Sequence, residues 1–455
     1  MTTPRNIAVI DIGKTNAKVV LISSETGAQL GSRSTPNTVV REGIYPHADV
    51  ERLWQFILKS LGELHAEHRI DGISITTHGA TAALMAGDAL ALPVLDYEHD
   101  GPEASTDAYS VQRPDFSETL SPRLPNGLNL GAQLFWQSRA FPEEFAQTTR
   151  ILTYPQYWAW RLTGVAASEA TSLGCHTDLW APDSNDFSSL VTKLKWRALF
   201  PAVRPAISVL GTILPTIAMG AGLAENTPVT CGIHDSNASL VPHLDARAAP
   251  FTIISSGTWT VIMTVGGNTA QLDATRDSLA NVDAHGRPVP TARFMGGREF
   301  DTLVPNPAEP TAAEIARVIN TDIQALPSFT PGVGPFPHAI GRWTGDIDIA
   351  TPGERTAAVS LYLALLTQAA LGLSGLGREI VIEGPFSRNA LFCQALAKLT
   401  GVPVSASGDA TGTSLGASLL FGGTKATARP DQHITPLEVP GFDDYARHWR
   451  TRVAS

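Results

Sequence analysis

Ile7-Ala8-Val9-Ile10-Asp11-Ile12-Gly13-Lys14-Thr15-Asn16 runs from an apolar strand into a turn, and Ala17–Ser23 then resumes with Val19, Val20, Leu21 and Ile22. Two short apolar runs joined by turn residues read as a β-hairpin. The pattern returns 244 positions later, from Ile7 to Phe251, in Phe251-Thr252-Ile253-Ile254, Ser255-Ser256-Gly257-Thr258 and Trp259-Thr260-Val261-Ile262-Met263-Thr264-Val265. Repetition at this distance indicates duplication of a domain. An ordinary hairpin accounts for either copy taken alone, so the flanking sequence has to decide.

Outward from the first hairpin, a turn at Ser24-Glu25-Thr26-Gly27 leads to a third strand near Gln29–Thr35. Asp49 is placed to cap a helix whose Val50, Leu53, Trp54, Ile57, Leu61 and Leu64 recur at three- and four-residue spacing. Gly72–Thr77 follows as a strand, which makes an α/β unit. After the second hairpin, Ala358, Leu361, Leu365, Ala369 and Leu373 mark a helix from Glu354 to Gly377. Glu379–Ile382 reads as a buried strand ending at Glu383-Gly384-Pro385. Ser387 is the expected cap of the next helix, which Gly401 stops. Val402-Pro403-Val404 is a short strand, and a helix of small residues spans about Gly412–Phe421. The boundary is expected between His243 and Ala249, giving domains 1–245 and 246–455. The proline- and tryptophan-bearing middle, about Gly101–Val229, reads as an inserted substrate-side region.

A chain of 455 residues supports two domains, and 43% hydrophobic with 17% charged residues is globular composition. The formal charge of −10 argues against a nucleic-acid partner but not against a nucleotide, which backbone N–H groups can hold. Asp11 interrupts the first apolar run, so no signal-peptide core is read there. No apolar run is read as long enough to span a membrane, and the stretch around Leu361–Leu376 is expected to be a buried helix. Cys175, Cys231 and Cys393 are odd in number and widely spaced, which disfavours disulfides or a zinc site and suits a cytoplasmic protein. A homodimer is compatible with the sequence, which does not set the oligomeric state.

Neither a G-x-x-x-x-G-K-[ST] loop nor a G-x-G-x-x-G loop is present. The first turn offers another anion cradle. Gly13 allows close backbone approach, Thr15 and Asn16 offer hydrogen bonds, Lys14 offers charge, and Asp11 is suited to a Mg²⁺-bound water. A hairpin turn stabilised by its own Asp and Asn is an equal reading. Ser256, Gly257 and Thr258 form a second cradle or a plain polar turn. In Cys231-Gly232-Ile233-His234-Asp235-Ser236-Asn237, an apolar approach ends in a carboxylate at a strand-to-helix corner, fit to take a proton from an alcohol. Capping of the following helix is the alternative role for Asp235.

Together the order D-x-G-x-T (Asp11, Gly13, Thr15), G-x-H-D (Gly232, His234, Asp235), S-G-T (Ser256, Gly257, Thr258) and a late G-x-x-S-R-N (Gly384, Ser387, Arg388, Asn389) resembles the FGGY carbohydrate kinase family, from Ile7 to about Gly423. Ile233-His234-Asp235-Ser236 and Ser256-Gly257-Thr258-Trp259 are most similar to its L-fuculose and L-rhamnulose kinase branch. The resemblance implies an α/β chain of two ribonuclease-H-like domains of the actin and hexokinase superfamily, with ATP in an interdomain cleft. It implies Asp235 as the base. Asp11 and Thr15 would face Mg²⁺ and the phosphates, with Asp11 and Asp235 holding the metal directly or through water. Gly257 and Thr258 would close on the phosphates, and Gly384 and Asn389 would lie by the adenosine. Ala410–Ala417 resembles the family's last helix, for which close packing is the expected role.

The sugar end departs from the family. Where relatives carry G-x-D the chain has His78-Gly79-Ala80-Thr81, and in place of W-x-D-x-R it has Asp96-Tyr97-Glu98-His99-Asp100. Candidate acceptor residues are His78, Gly79, Asp96, Tyr97, Glu98, His234 and Asp235, with Trp136 or Tyr154 as further aromatic surfaces. The expected activity is transfer of the ATP γ-phosphate to a primary hydroxyl of a small sugar, a ketose such as L-fuculose or L-rhamnulose. A polyol kinase of the glycerol or erythritol type is the first alternative. An actin- or chaperone-like ATPase is the second, and a degenerate sugar sensor the last.

Overall fold

Both hairpins form, and each opens a sheet of the same order. In the computed structural model, which describes residues 3–407, 412–422 and 431–454, strand Asn6–Ile12 pairs antiparallel with Asn16–Ser23, with Ile7 opposite Ile22 and Asp11 opposite Lys18. Strand Phe251–Ser256 pairs likewise with Thr260–Val265, Ser256 lying opposite Thr260. A third antiparallel strand flanks each hairpin, Gln29–Pro36 in one and Pro288–Phe294 in the other. On its other side each opening strand has a parallel neighbour, Gly72–Thr77 or Ile380–Glu383. A second parallel strand follows, Pro228–Thr230 or Val404–Ala406, and then a short antiparallel one, Val209–Thr212 or Gln432–His433. The duplication seen in two hairpins therefore extends through six strands of each sheet. This is the two-domain, ribonuclease-H-like α/β arrangement that the resemblance implies.

The described residues divide into two compact units. The first takes 3–247, 280–288 and 412–422; the second takes 248–279, 289–407 and 431–454. Two stretches of the later sequence thus belong to the first unit.

In the first unit, Asp49 caps helix Val50–Glu67 by accepting the Arg52 N–H at 3.1 Å. Leu53, Leu61 and Leu64 are fully buried, each contributing about 1.5–3 kcal/mol. The middle of the chain adds Arg150–Thr153 to Ala82–Ala86 and Ala89–Leu90 in a small antiparallel sheet. Elsewhere in the middle region the buried Asp178 accepts from Arg113 Nε at 2.9 Å and the Tyr109 hydroxyl at 2.7 Å.

The second unit is built on helix Pro352–Ser374, which begins two residues before the expected Glu354. Thr351 and Glu354 form a reciprocal capping box that sets this start. Contrary to the reading of the apolar runs, this helix has the length and composition to cross a membrane; 83% of its most apolar window is buried within the fold. Helices apolar on every side belong to cores as well as to membranes. The cap of helix Ala390–Thr400 is Asn389 and not Ser387, whose hydroxyl instead donates to the Gly384 carbonyl within a 3₁₀ turn. Gly401 ends that helix in a left-handed conformation, as expected.

Candidate active site

The corner carrying Asp235 is delivered by sheet register. Ile233–His234 runs parallel to Gly72–Thr77 with His234 opposite Thr77, which brings Asp235 beside His78 at the ends of adjacent strands. Helix Asp235–Ala238 is capped at His234, and the Asp235 carboxylate is held by its two neighbours in sequence. Its Oδ1 accepts the Ser236 N–H at 2.6 Å and the Ser236 hydroxyl at 3.3 Å. His234 Nε2 lies 3.2 Å from the same oxygen. Burial pushes the His234 imidazole down to about 4, so this contact is a neutral N–H donating to a carboxylate. The Asn237 amide nitrogen stands 3.0 Å from Nδ1, which leaves the ring proton on Nε2. The same Nε2 is 3.3 Å from Cys175 Sγ. Gly79 makes this packing possible, because a Cβ there would meet Nε2 at 2.8 Å.

Asp11 ends the first strand with its side chain buried. Its Oδ2 accepts from the Ser414 hydroxyl at 2.8 Å and from Lys18 Nζ at 3.2 Å. Burial raises its pKa, Lys18 and Ser414 lower it, and the charge of Asp235 raises it further. Burial raises Asp235 too, against the attraction of His78. Two carboxylates that destabilise each other's charge suit a divalent cation. Among the described residues no three His, Cys, Asp or Glu side chains converge on one metal position. Two such carboxylates could hold a hydrated divalent cation such as Mg²⁺, which takes much of its coordination from water.

The expected acceptor residues also gather here. The His78 ring lies 5.3 Å from that of Tyr97 and 5.2 Å from that of Tyr154. Its Nδ1 donates to the Gly79 carbonyl at 3.0 Å, and burial keeps the ring neutral, leaving Nε2 as an acceptor. Lys14 leaves the turn and binds Asp96 and, at 3.3 Å, Glu98, while Thr15 and Asn16 stay exposed. Trp136 is not brought in; it packs with Tyr45, His99 and Phe141.

Three supporting residues escaped the sequence reading as such. Glu169 is 1% exposed and accepts four bonds, from the N–H and hydroxyl of both Thr171 and Ser172. The Thr171 hydroxyl in turn accepts the His234 N–H at 3.1 Å, so Glu169 buttresses the Asp235 corner. Cys175 follows the short helix Ala170–Leu173, which Glu169 caps. Ser414 belongs to helix Thr413–Ser418, where a Cβ on Gly416 would sit 1.7 Å from the Ala238 carbonyl oxygen. This is the close packing expected of that segment, of which Ala410 and Thr411 lie outside the described residues. An acidic residue before two hydroxyl residues signals a helix start, but nothing local signals its burial.

In the second unit, Ser256 is occupied structurally: its hydroxyl donates to the Glu383 carbonyl at 2.5 Å and accepts the Phe386 N–H at 2.9 Å. That pairing sets Gly384 directly against the Ser256 carbonyl. Gly257, Thr258, Phe300, Phe386, Arg388 and Asn389 line a cavity of about 600 Å³. The size suits a nucleoside, while the Gly257 N–H is taken by the Trp259 carbonyl at 2.8 Å. The Asn389 amide is engaged at both ends, accepting from Phe392 N–H at 3.0 Å and donating to Ser360 Oγ at 2.9 Å.

Comparison with known proteins identifies the family. Residues 6–242 match the N-terminal domain of the FGGY family of carbohydrate kinases, and residues 248–430 match the carbohydrate kinase FGGY C-terminal domain. The crystal structure of a carbohydrate kinase from Novosphingobium aromaticivorans is 35% identical with a TM-score of 0.91, covering 100% of this chain and 99% of that one. The L-fuculokinase of Salmonella typhi is 25% identical over 455 residues, 94% of each chain. The rhamnulokinase of Pectobacterium carotovorum is 24% identical over 488 residues, 98% of this chain and 95% of the relative. Two domain models in the expected order, over a duplicated sheet with a carboxylate at its edge, leave one assignment: the chain belongs to the FGGY family of carbohydrate kinases and is a sugar phosphotransferase.

Proposed function

We propose that the chain transfers the γ-phosphate of ATP to a primary hydroxyl of a small ketose of the L-fuculose or L-rhamnulose kind, with Asp235 as the general base. The observation that carries the reading is the asymmetry of the Asp235 carboxylate. Oδ1 is held by Ser236 and His234, so Oδ2 is the oxygen left to accept the hydroxyl proton. Burial raises the pKa of this carboxylate and so strengthens it as a base near neutral pH. His78 Nε2 accepts from a neighbouring sugar hydroxyl, and the Tyr97 and Tyr154 rings cover C–H surface. The second-unit cavity at Gly257, Thr258 and Asn389 takes the nucleotide. When bound through water to Asp11 and Asp235, Mg²⁺ would neutralise charge on the transferring group. The ketose assignment draws on the named L-fuculokinase and rhamnulokinase relatives.

The test is an ADP-release assay over L-fuculose- and L-rhamnulose-type ketoses, other ketoses and polyols, with the position of phosphate read by NMR. A ketose should be preferred and phosphorylated at a primary oxygen; preference for glycerol or erythritol would make this a polyol kinase. Asp235→Asn should lose about 10²–10⁴-fold in kcat while still binding ATP. Near-wild-type turnover in that variant would remove Asp235 from its role.

A further inference from the structure

We infer that Lys14 and Asp96 form a hydroxyl-reading pair of the acceptor site, so that Lys14 sets acceptor specificity although it sits in the phosphate-side turn. The inference rests on the sugar-kinase reading above and adds to it a recognition element.

Position comes first. Lys14 Nζ bonds Asp96, lies 3.3 Å from Glu98 Oε2 and stands 4.6 Å over the Tyr97 ring. Tyr97 in turn contacts His78 edge-on. The charge of Lys14 acts on His78, and the charge of Asp235 acts on both His78 and Tyr97, so these groups share one electrostatic neighbourhood. Lys14 is thus against Tyr97, which in turn contacts His78.

Bonding capacity comes second. An ammonium has three N–H donors. One goes to Asp96, Glu98 lies within ion-pair distance, and the Tyr97 ring is a weak partner that a hydroxyl oxygen can replace. Asp96 Oδ1 also accepts the Glu98 N–H at 3.2 Å, whereas Oδ2 makes no side-chain bond among the described residues. The pair therefore offers one donor and one acceptor side by side over an aromatic face. Vicinal hydroxyls on a ring or chain, each able to donate and accept, match that arrangement.

Charge comes third. The Lys14 and Asp96 side chains are only 20% and 10% exposed, so drawing Lys14 away to a phosphate would leave a largely buried carboxylate unpaired. Two carboxylates around one ammonium also repel anions, which favours neutral polyhydroxyl compounds over sugar acids.

The acceptor turned over fastest by the wild-type enzyme is identified first; if no sugar or polyol reacts, it is the sugar-kinase reading that fails. With that acceptor, Lys14→Met should raise its KM at least tenfold while KM for ATP stays within twofold. A deoxy analogue lacking one of the recognised hydroxyls should lose its disadvantage in the variant. Asp96→Asn, a second route if Lys14→Met is poorly folded, should also raise the acceptor KM. A rise in KM for ATP with the acceptor KM unchanged would overturn the inference, as would no change in either. A lower KM for ATP in Asp96→Asn would also overturn it, since Lys14 would then be a phosphate ligand held back by Asp96.

Discussion

Replacing Gly79 by alanine puts one methyl group into the tightest part of the site. The new Cβ would lie 2.8 Å from His234 Nε2 and 3.0 Å from Cys175 Sγ, inside the ordinary contact distance of about 3.5–4.0 Å. Its φ is not left-handed, so the backbone tolerates alanine and the effect is steric. Overpacking of this kind costs about 1–3 kcal/mol. If the imidazole yields, it withdraws its N–H from Asp235 Oδ1, and the cost appears as a fall of about 5- to 150-fold in kcat/KM. If the surroundings yield instead, the cost appears in Tm, at about 2–4 °C per kcal/mol for a unit of this size. Initial rates of ADP release and a thermal melt on the same preparation separate the two. Cys175→Ala in the alanine background gives the ring room to move and should restore part of any lost stability. A Gly79→Ala enzyme with kcat/KM and Tm both unchanged would refute the idea that this glycine sets the His234–Asp235 contact.

Two pH experiments follow from the buried carboxylates. The acid limb of kcat/KM should lie above the ordinary aspartate value of about 3.9 and belong to Asp11 and Asp235 as a pair, since each is raised and they interact; a limb at or below that value would contradict the burial argument. Glu169 is pushed up to about 7, so the folded state holds its proton more tightly than the unfolded chain. Its favourable contribution is complete below about pH 4.3 and is lost as pH rises toward 7. Wild type should therefore gain stability relative to Glu169→Gln as pH falls from 8 to 5, measured by denaturant melts, and a difference that shrinks on acidification would show that the four donors to Glu169 outweigh its burial.

The two hairpin turns and the duplication were legible because their signals are local. A glycine in a turn, apolar runs of strand length and Asp235 at a strand-to-helix corner all sit within a few residues. The six-strand correspondence of the sheets was visible only in its first two strands, because short strands such as Val209–Thr212 carry little pattern. Lys14 illustrates the limit: sequence places it beside Thr15, but the side chain spans to Asp96, 82 residues away. Glu169 and Ser414 were silent for the same reason, since what each does depends on burial and on partners distant in sequence. Asn389 replaced Ser387 as a cap because the Pro385–Arg388 turn delays the helix start, and either residue type could serve.

The Ser414–Asp11 hydrogen bond joins residues 403 positions apart, and Ser74 Oγ likewise donates at 2.7 Å to the carbonyl of Ala417. The unit that carries Asp235 is therefore not finished when its own first 247 residues have been made. A nascent chain on the ribosome, or one cut short before Thr413, has Asp235 and Asp11 in its sequence but lacks the hydroxyl that steadies one of them and the helix that packs behind the other. The packing around Asp11 and Asp235 is thus completed only once residues 413–418 have been made.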